Sequence, residues 1–223
     1  MKGDDFIITK VNVSENINVN NKTSYLVFKR IADIVVSFLG LIVLLLPMLI
    51  ISLIIFIDSP GASPVFIQKR VGKGGKEFRF FKFRSMIPNA EDKLEELLSK
   101  NEMDGPAFKM ENDPRITRFG RFIRRSSIDE LPQLLNVLVG NMSLVGPRPP
   151  LPREVEMYNE EQLARLLVKP GMTCYWQTKP KRNSLSFDEW LECDIKYIKN
   201  RSLKTDVKIL FATVRTVFGM EGI

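Results

Sequence analysis

The sequence predicts an α+β fold of mostly short helices around a small β-hairpin, preceded by an N-terminal membrane element. Three observations carry this prediction. Residues 34–57 form a run without a single charged side chain, bounded by Asp33 and Asp58. Two aromatic-rich segments, Val65 to Arg70 and Phe78 to Arg84, flank the glycine-rich turn Gly72-Lys-Gly-Gly, which is a hairpin pattern. After the hairpin, apolar residues recur at helical spacing in short stretches separated by Pro and Gly, with no second strand-rich region.

Taken in order, residues 1–24 are polar, rich in Asn and Lys, without periodicity, and read as a disordered leader. Residues 25–58 form the membrane element. A bilayer-spanning helix needs about 20 apolar residues, so one reading is a single spanning anchor. The other is a re-entrant helix-break-helix. Pro47 sits mid-run and removes a helical hydrogen bond, and the arms on either side are too short to span alone. Both flanks are basic, Lys29 and Arg30 before the run and Lys69, Arg70, Lys73 and Lys76 after it, which favours keeping both ends on the cytoplasmic side.

Residues 59–223 form the remaining domain. Within the hairpin the apolar alternation slips phase at Phe80-Phe81, which predicts a bulge. Residues 90–100 read as a short charged helix. Residues 128–139 read as another, with Ile128, Leu131, Leu134, Leu135 and Leu138 on one face. An amphipathic stretch covers 161–168. The last helix, about 206–218, gathers Val207, Leu210, Phe211, Val214, Val217 and Phe218 on one side. That stripe reads first as core, with a membrane-interfacial role as the rival.

The formal net charge of +7 calls for an anionic partner without choosing among nucleic acid, anionic lipid and a nucleotide-linked substrate. The chain has no histidine, which excludes an imidazole base and a histidine metal site and leaves such tasks to carboxylates. Cys174 and Cys193 are not closely spaced and read as free structural thiols. The apolar run starts too late and is too long for a cleavable signal peptide.

The most informative stretch runs from Arg124 to Pro150. It sets Asp129 and Glu130 between the basic pair Arg124 and Arg125 and the proline-locked Arg148. A carboxylate beside fixed guanidinium groups suits chemistry at phosphorus, because an aspartate can attack and arginines can grip phosphate oxygens. A blander reading makes Ser127-Ile-Asp-Glu a capping box, with Ser127 as helix cap and Glu130 reaching back. With Ser127 as the cap, Pro132 falls where a helical N–H is already needed, whereas taking Ile128 or Asp129 as the cap removes that conflict. Gly146-Pro-Arg-Pro-Pro could be only a rigid turn, but a bare turn does not call for Arg148.

These motifs, in this order, resemble the bacterial sugar transferases, the monotopic phosphoglycosyl transferases. The resemblance rests on Lys29, Arg30, Asp33 and Pro47 in the membrane run, Arg70-Val-Gly-Lys-Gly-Gly-Lys-Glu-Phe and Phe81-Lys-Phe-Arg-Ser-Met. It continues through Asp113-Pro-Arg-Ile-Thr-Arg-Phe-Gly, the Asp129-Glu130 block, Gly146-Pro-Arg-Pro, Lys169-Pro-Gly-Met-Thr and Cys193-Asp-Ile-Lys-Tyr-Ile. It spans about 29–220 and looks like the short, core-only form.

It implies transfer of a sugar 1-phosphate from a UDP-sugar to a polyprenol (undecaprenyl) phosphate, releasing UMP, as the first membrane step of glycoconjugate or exopolysaccharide synthesis. Asp129 would be the nucleophile, forming a phosphosugar–aspartyl intermediate, and Glu130 the neighbouring catalytic carboxylate. Mg²⁺, or alternatively Mn²⁺, would be held at Asp129 and Glu130. Lys82, Arg84, Arg124, Arg148, Arg182 and Asp194 would bind phosphate or substrate. The domain would lie on the cytoplasmic face of the bacterial inner membrane. The partners implied are the two substrates and the bilayer, with no nucleic acid, and a homo-oligomer is compatible. In place of the family's Trp-Gln-Val-Ser-Gly-Arg this chain has Trp176-Gln-Thr-Lys-Pro-Lys-Arg, so Lys181 competes with Arg182 for the substrate contact. A membrane-anchored, noncatalytic basic protein binding anionic lipid or nucleic acid is the rival reading. It explains the charge but not Asp129-Glu130 beside Pro-Arg-Pro.

Overall fold

A computed structural model describes residue 17, residues 19–179 and residues 182–219. Helix α1 (Thr23–Asp58) leads into the antiparallel pair β1 (Val65–Val71) and β2 (Glu77–Phe83). Short helices α2 (Leu94–Leu97), α3 (Arg118–Arg125) and α4 (Gln133–Val139) follow. Strand β3 (Ser143–Val145) then pairs in parallel with β4 (Gly171–Thr173), the two separated by helices α5 (Pro152–Glu156) and α6 (Glu160–Leu163). Two longer helices, α7 (Phe187–Asn200) and α8 (Leu203–Phe218), end the described chain. The α+β class and the small hairpin are as expected. Much of the predicted leader, residues 1–16 and 18, lies outside the described residues. Of its remainder, Asn20 and Asn21 exchange hydrogen bonds with Arg201.

The hairpin register differs from expectation. Val65 faces Phe83 and the pairing runs without a break to Val71 opposite Glu77, so there is no bulge at Phe80-Phe81. The apolar pattern changes phase because the strand is covered on both sides. Phe80 packs with Leu134, Val137 and Ile198, while Phe83 packs with Ile55 and Ile123. Gly74 and Gly75 close the turn at φ of 70° and 81°, a backbone region that L side chains avoid.

Helix α1 is continuous through Pro47, where two arms had been expected. Proline offers no N–H to the carbonyl four residues back, but the remaining helical bonds carry the element across. At about 1.5 Å per residue its 36 residues extend about 54 Å, well beyond the roughly 30 Å hydrocarbon core of a bilayer. Among the described residues it is the one helix long and apolar enough to cross a membrane.

One stripe of α1 is fastened to the rest of the fold along its length. Lys29 donates to Asp206 at 2.8 Å and to the Val145 carbonyl, and Arg30 caps the end of α4 by donating to the Val137 and Leu138 carbonyls. Asp33 is buried and accepts from the Leu144 N–H and the Ser143 hydroxyl. Farther along, Leu41 and Leu44 pack beside the Phe80 cluster, and Met48, Ile51 and Ile55 join Phe83 and Ile123. These positions recur every three or four residues, which places them on one helical face. The opposite face exposes Phe38, Ile42, Val43, Leu46, Leu49 and Leu53.

The core reading of the last helix is overturned. Val207, Phe211 and Val214 on α8 are exposed, Phe211 by 74%, and Leu210 is half-buried. The helix is instead anchored to the fold by Asp206, Ile209 and Thr216, which are buried. Helix α7 had no sequence prediction, although Ser186 and Glu189 form a reciprocal capping box at its start. It brings Trp190 to stack on Trp176, ring centroids 4.2 Å apart, in a second core with Phe187, Tyr158 and Val155. The predicted 90–100 helix shrinks to α2 followed by a single 3₁₀ turn.

Candidate active site

The Asp129-Glu130 pair sits on a 3₁₀ turn, Ile128–Glu130, between α3 and α4. The capping-box reading fails here. Ser127 adopts the left-handed conformation at φ 56° and its side chain caps nothing. A non-glycine residue in that region costs about 1 kcal/mol or more and is held there by its surroundings. It turns the chain sharply after α3, and Pro132 then serves as the N-cap residue of α4, where no N–H is required.

Glu130 points at Lys82 on β2. Lys82 Nζ donates to Glu130 Oε1 at 3.0 Å and, in a longer contact, to Asp129 Oδ2 at 3.4 Å. Asp129 is 5% exposed, whereas Glu130 and Lys82 remain partly open to the cleft. Burial pushes the Asp129 carboxyl above its ordinary range; Lys82 and Arg124 pull it down, and Glu130 adds to the rise. Lys82 is thus the main group favouring the charged carboxylate.

Two elements fix this geometry. Asn136 on α4 is fully buried; it accepts from the Phe81 N–H at 3.0 Å and donates to the Arg79 carbonyl at 2.6 Å. It therefore laces α4 to the open edge of β2, next to Lys82. On the other side, α3 lies so close to the chain after β2 that a Cβ on Gly120 would overlap the Ser85 carbonyl. This approach lets Arg124 Nε donate to Ser85 Oγ at 2.8 Å. Burial lowers the Arg124 guanidinium pKa, while Asp129 and Asp113 raise it.

Arg148 is presented on a loop held through its carbonyls. Prolines 147, 149 and 150 have no N–H to offer, yet every carbonyl from 147 to 150 accepts a bond. The donors are the Gly171 N–H, Arg165 Nη2, Arg70 Nη1 and the Val71 N–H, in that order. The Arg148 side chain projects from this clamp towards Glu154, 3.9 Å away.

Lys82, Arg84, Arg124, Asp129, Glu130, Arg148 and Arg182 all line one cleft of about 2080 Å³. Arg84 within it is tied to the Ser63 carbonyl, and Arg182 is buried with Nη1 on the Gln177 carbonyl. Lys181 lies outside the described residues. Asp194 does not line the cleft. It is 1% exposed and pairs at 2.8 Å with Arg165, which also donates to the Tyr158 hydroxyl. Burial lifts the Asp194 carboxyl to about 6 against the pull of Arg165. The structure thus places Asp194 behind the Arg148 loop, one residue removed from the cleft.

Sequence reasoning passed over Asn136, Ser85, Arg70 and Arg165, the residues that hold the others in place. Helical spacing puts Asn136 off the apolar stripe of the predicted 128–139 helix, so the sequence offered no signal for it; the fold buries Asn136 and leaves Leu135 exposed. Two carboxylates side by side suit a hard divalent ion that takes its other ligands from phosphate and water, and no third metal-binding side chain joins them among the described residues.

A family profile, described as bacterial sugar transferase, matches residues 24–220. The chain belongs to the bacterial sugar transferases. It is 47% identical over 196 residues to the galactosyl transferase CpsE of Streptococcus agalactiae, covering 88% of this chain and 43% of that protein. It is 43% identical over 205 residues to the undecaprenyl-phosphate galactose phosphotransferase of Salmonella typhimurium, covering 90% and 42%. With the exopolysaccharide production protein ExoY of Sinorhizobium fredii it shares 37% identity over 199 residues, 87% of each chain. This sugar transferase therefore spans less than half the length of the first two relatives and most of the third.

Proposed function

We propose that this sugar transferase moves a sugar 1-phosphate from a UDP-sugar to a polyprenol phosphate at the cytoplasmic membrane face, by way of a covalent Asp129 intermediate. The observation that carries the reading is the buried Asp129 carboxylate beside Lys82, on a turn where it serves no helix cap. The names of relatives acting on undecaprenyl phosphate and carrying galactose or N-acetylgalactosamine support the substrate class.

In the first step an Asp129 oxygen attacks the β-phosphorus of the UDP-sugar. The bond from that phosphorus to the bridging oxygen breaks, and UMP leaves with the electron pair. In the second step an oxygen of the polyprenol phosphate attacks the same phosphorus and the carboxylate departs, restoring Asp129. Lys82 opposes the rise that burial imposes on the Asp129 carboxyl and so favours its charged form, and Arg124 and Arg148 offset the charge of the diphosphate. A two-step route means the donor and acceptor need not be held at once.

Mg²⁺ or Mn²⁺ bound by Glu130 with Asp129 would neutralise the diphosphate charge. Helix α1 supports a membrane-dipping placement. Contacts from Lys29 to Ile55 hold one face of the helix against the domain, which supports a placement with both ends on the domain's side and the outer face in lipid. The test is rapid quench with labelled UDP-sugar. Wild type should carry label on the protein, and Asp129→Asn should carry none and turn over on the order of a thousandfold more slowly or worse. Full activity in Asp129→Asn would overturn the mechanism.

A further inference from the structure

The cleft is larger than one substrate needs. Sites for drug-sized ligands run to about 300–1,000 Å³, against about 2080 Å³ here. Its two ends also differ in chemistry. One end holds Lys82, Asp129, Glu130, Arg124 and Arg148, described above. The other runs between two membrane-side helices, bounded by Gly40 and Leu44 of α1 and by Leu210 and Val214 of α8, with Leu134 and Met172 on its floor.

The walls of this apolar end are joined at their starts, where Lys29 and Tyr25 of α1 both bond to Asp206 of α8. Thr213 of α8 is tied to Thr173 of β4 at 2.7 Å, which holds the second wall against the floor. The α1 wall is low at Gly40, which presents no side chain and lies close to Leu134. On its outer side α1 exposes Val43, while the exposed apolar residues Val207, Phe211 and Val214 of α8 line the groove itself and leave its mouth apolar. The groove therefore opens towards lipid at one end and ends at cations and the nucleophile at the other. That polarity matches a single amphiphile with an anionic head and an apolar chain.

We propose that the prenyl chain of the acceptor lies in this groove between α1 and α8, with its phosphate delivered to Lys82 and Arg148. The assignment rests on the reading of the function given above and adds where the acceptor chain sits and which residues select it. The groove makes α8 a recognition element for chain length. It also explains why the apolar stripe of α8 is left uncovered by the protein.

Two measurements test it. In the first, Leu210→Trp and Val214→Trp fill the groove while keeping its surface apolar, and Val43→Trp on the outer face of α1 serves as control. Expected is a loss of tenfold or more in kcat/KM for undecaprenyl phosphate with the two groove variants. Turnover with a one- or two-isoprene phosphate and the burst of UMP from the first step should be unchanged, as should liposome flotation and the control. Equal losses with long and short acceptors, or no loss with either, would overturn the groove. The second is photolabelling with undecaprenyl phosphate carrying a diazirine on its chain, which needs no turnover and so reads occupancy independently of the reaction. Label should fall on peptides containing 36–44 and 207–217 and be competed by unlabelled undecaprenyl phosphate. Label elsewhere, or label displaced equally by ordinary phospholipid, would refute the assignment even if the transfer reaction itself is confirmed.

Discussion

Asn136→Leu is the sharpest test of how the site is held. The substitution keeps the branched outline of a fully buried side chain, somewhat enlarged, and removes both bonds to β2. Phe81 is half-buried, so its stranded N–H costs about 1–3 kcal/mol. Arg79 is exposed and its carbonyl can turn to water, adding up to about 1 kcal/mol. The sum, about 1–4 kcal/mol, corresponds to a fall of about 2–16 °C in the unfolding midpoint of a chain this size. The functional effect follows from where the bonds lie. Phe81 and Arg79 bracket the strand just before Lys82, so an unlaced β2 lets the Lys82 ammonium drift from the two carboxylates. A displacement of about 1 Å at a reacting centre can cost about a hundredfold. We expect kcat to fall about 10- to 100-fold, with KM for the UDP-sugar changed little. The assay is single-turnover UMP release in nanodiscs alongside thermal unfolding. The decisive comparison is the double variant with Lys82→Gln. If Asn136 acts through Lys82, the two losses should be far from additive. A lowered midpoint with kcat intact, or full additivity, would refute this role.

Lys82→Gln alone should move the acidic limb of the first step. Burial already raises the Asp129 carboxyl and Lys82 opposes the rise, so removing that cation lifts the Asp129 pKa further; the limb of a kcat/KM profile should shift to higher pH, and an unchanged or lower limb would contradict it. Chelation by EDTA should abolish turnover and Mg²⁺ alone should restore it, whereas undiminished activity in chelator would leave Lys82, Arg124 and Arg148 as the charge-neutralising groups. Pro47→Leu removes the one interruption in the hydrogen bonding of α1 and should send part of the population into a spanning form, with loss of activity. Cysteines placed in the leader and near Lys73, probed in intact cells with an impermeant thiol reagent, read this out. Labelling of the wild-type leader from outside would refute the dipping placement.

Those features that depend on residues close in sequence were legible beforehand. The hairpin, the apolar N-terminal run, the α8 stripe and the Asp129-Glu130 pair each announce themselves within one continuous stretch of sequence. What escaped depends on distant partners. Phase slippage at Phe80-Phe81 looked like a bulge because a single strand cannot reveal that α4 covers one face and Ile55 the other. Ser127 looked like a cap because nothing in the local sequence shows that its backbone is left-handed, with a side chain that caps nothing. Asp194 resembled a substrate ligand, and only the fold brings Arg165, 29 positions away, against it. The α8 stripe reads the same in sequence whether it meets protein or lipid, and the packing of Ile209 on the other side settles which faces inward.

The stripe of contacts along α1 bears on how this protein can be handled. A shortened chain beginning after Asp58 would not be the same domain released from its anchor. It would lose the carboxylate that satisfies Ser143 and Leu144, the guanidinium that closes the end of α4, and Ile55 from between Phe83 and Ile123. Asp206 would be left buried without Lys29, its cationic partner, a change that costs several kcal/mol when one member of a buried pair is removed. Detergent or nanodisc preparations of the full chain are therefore the appropriate material, and attempts to gain solubility should alter the outward residues of α1 while leaving the inward ones in place.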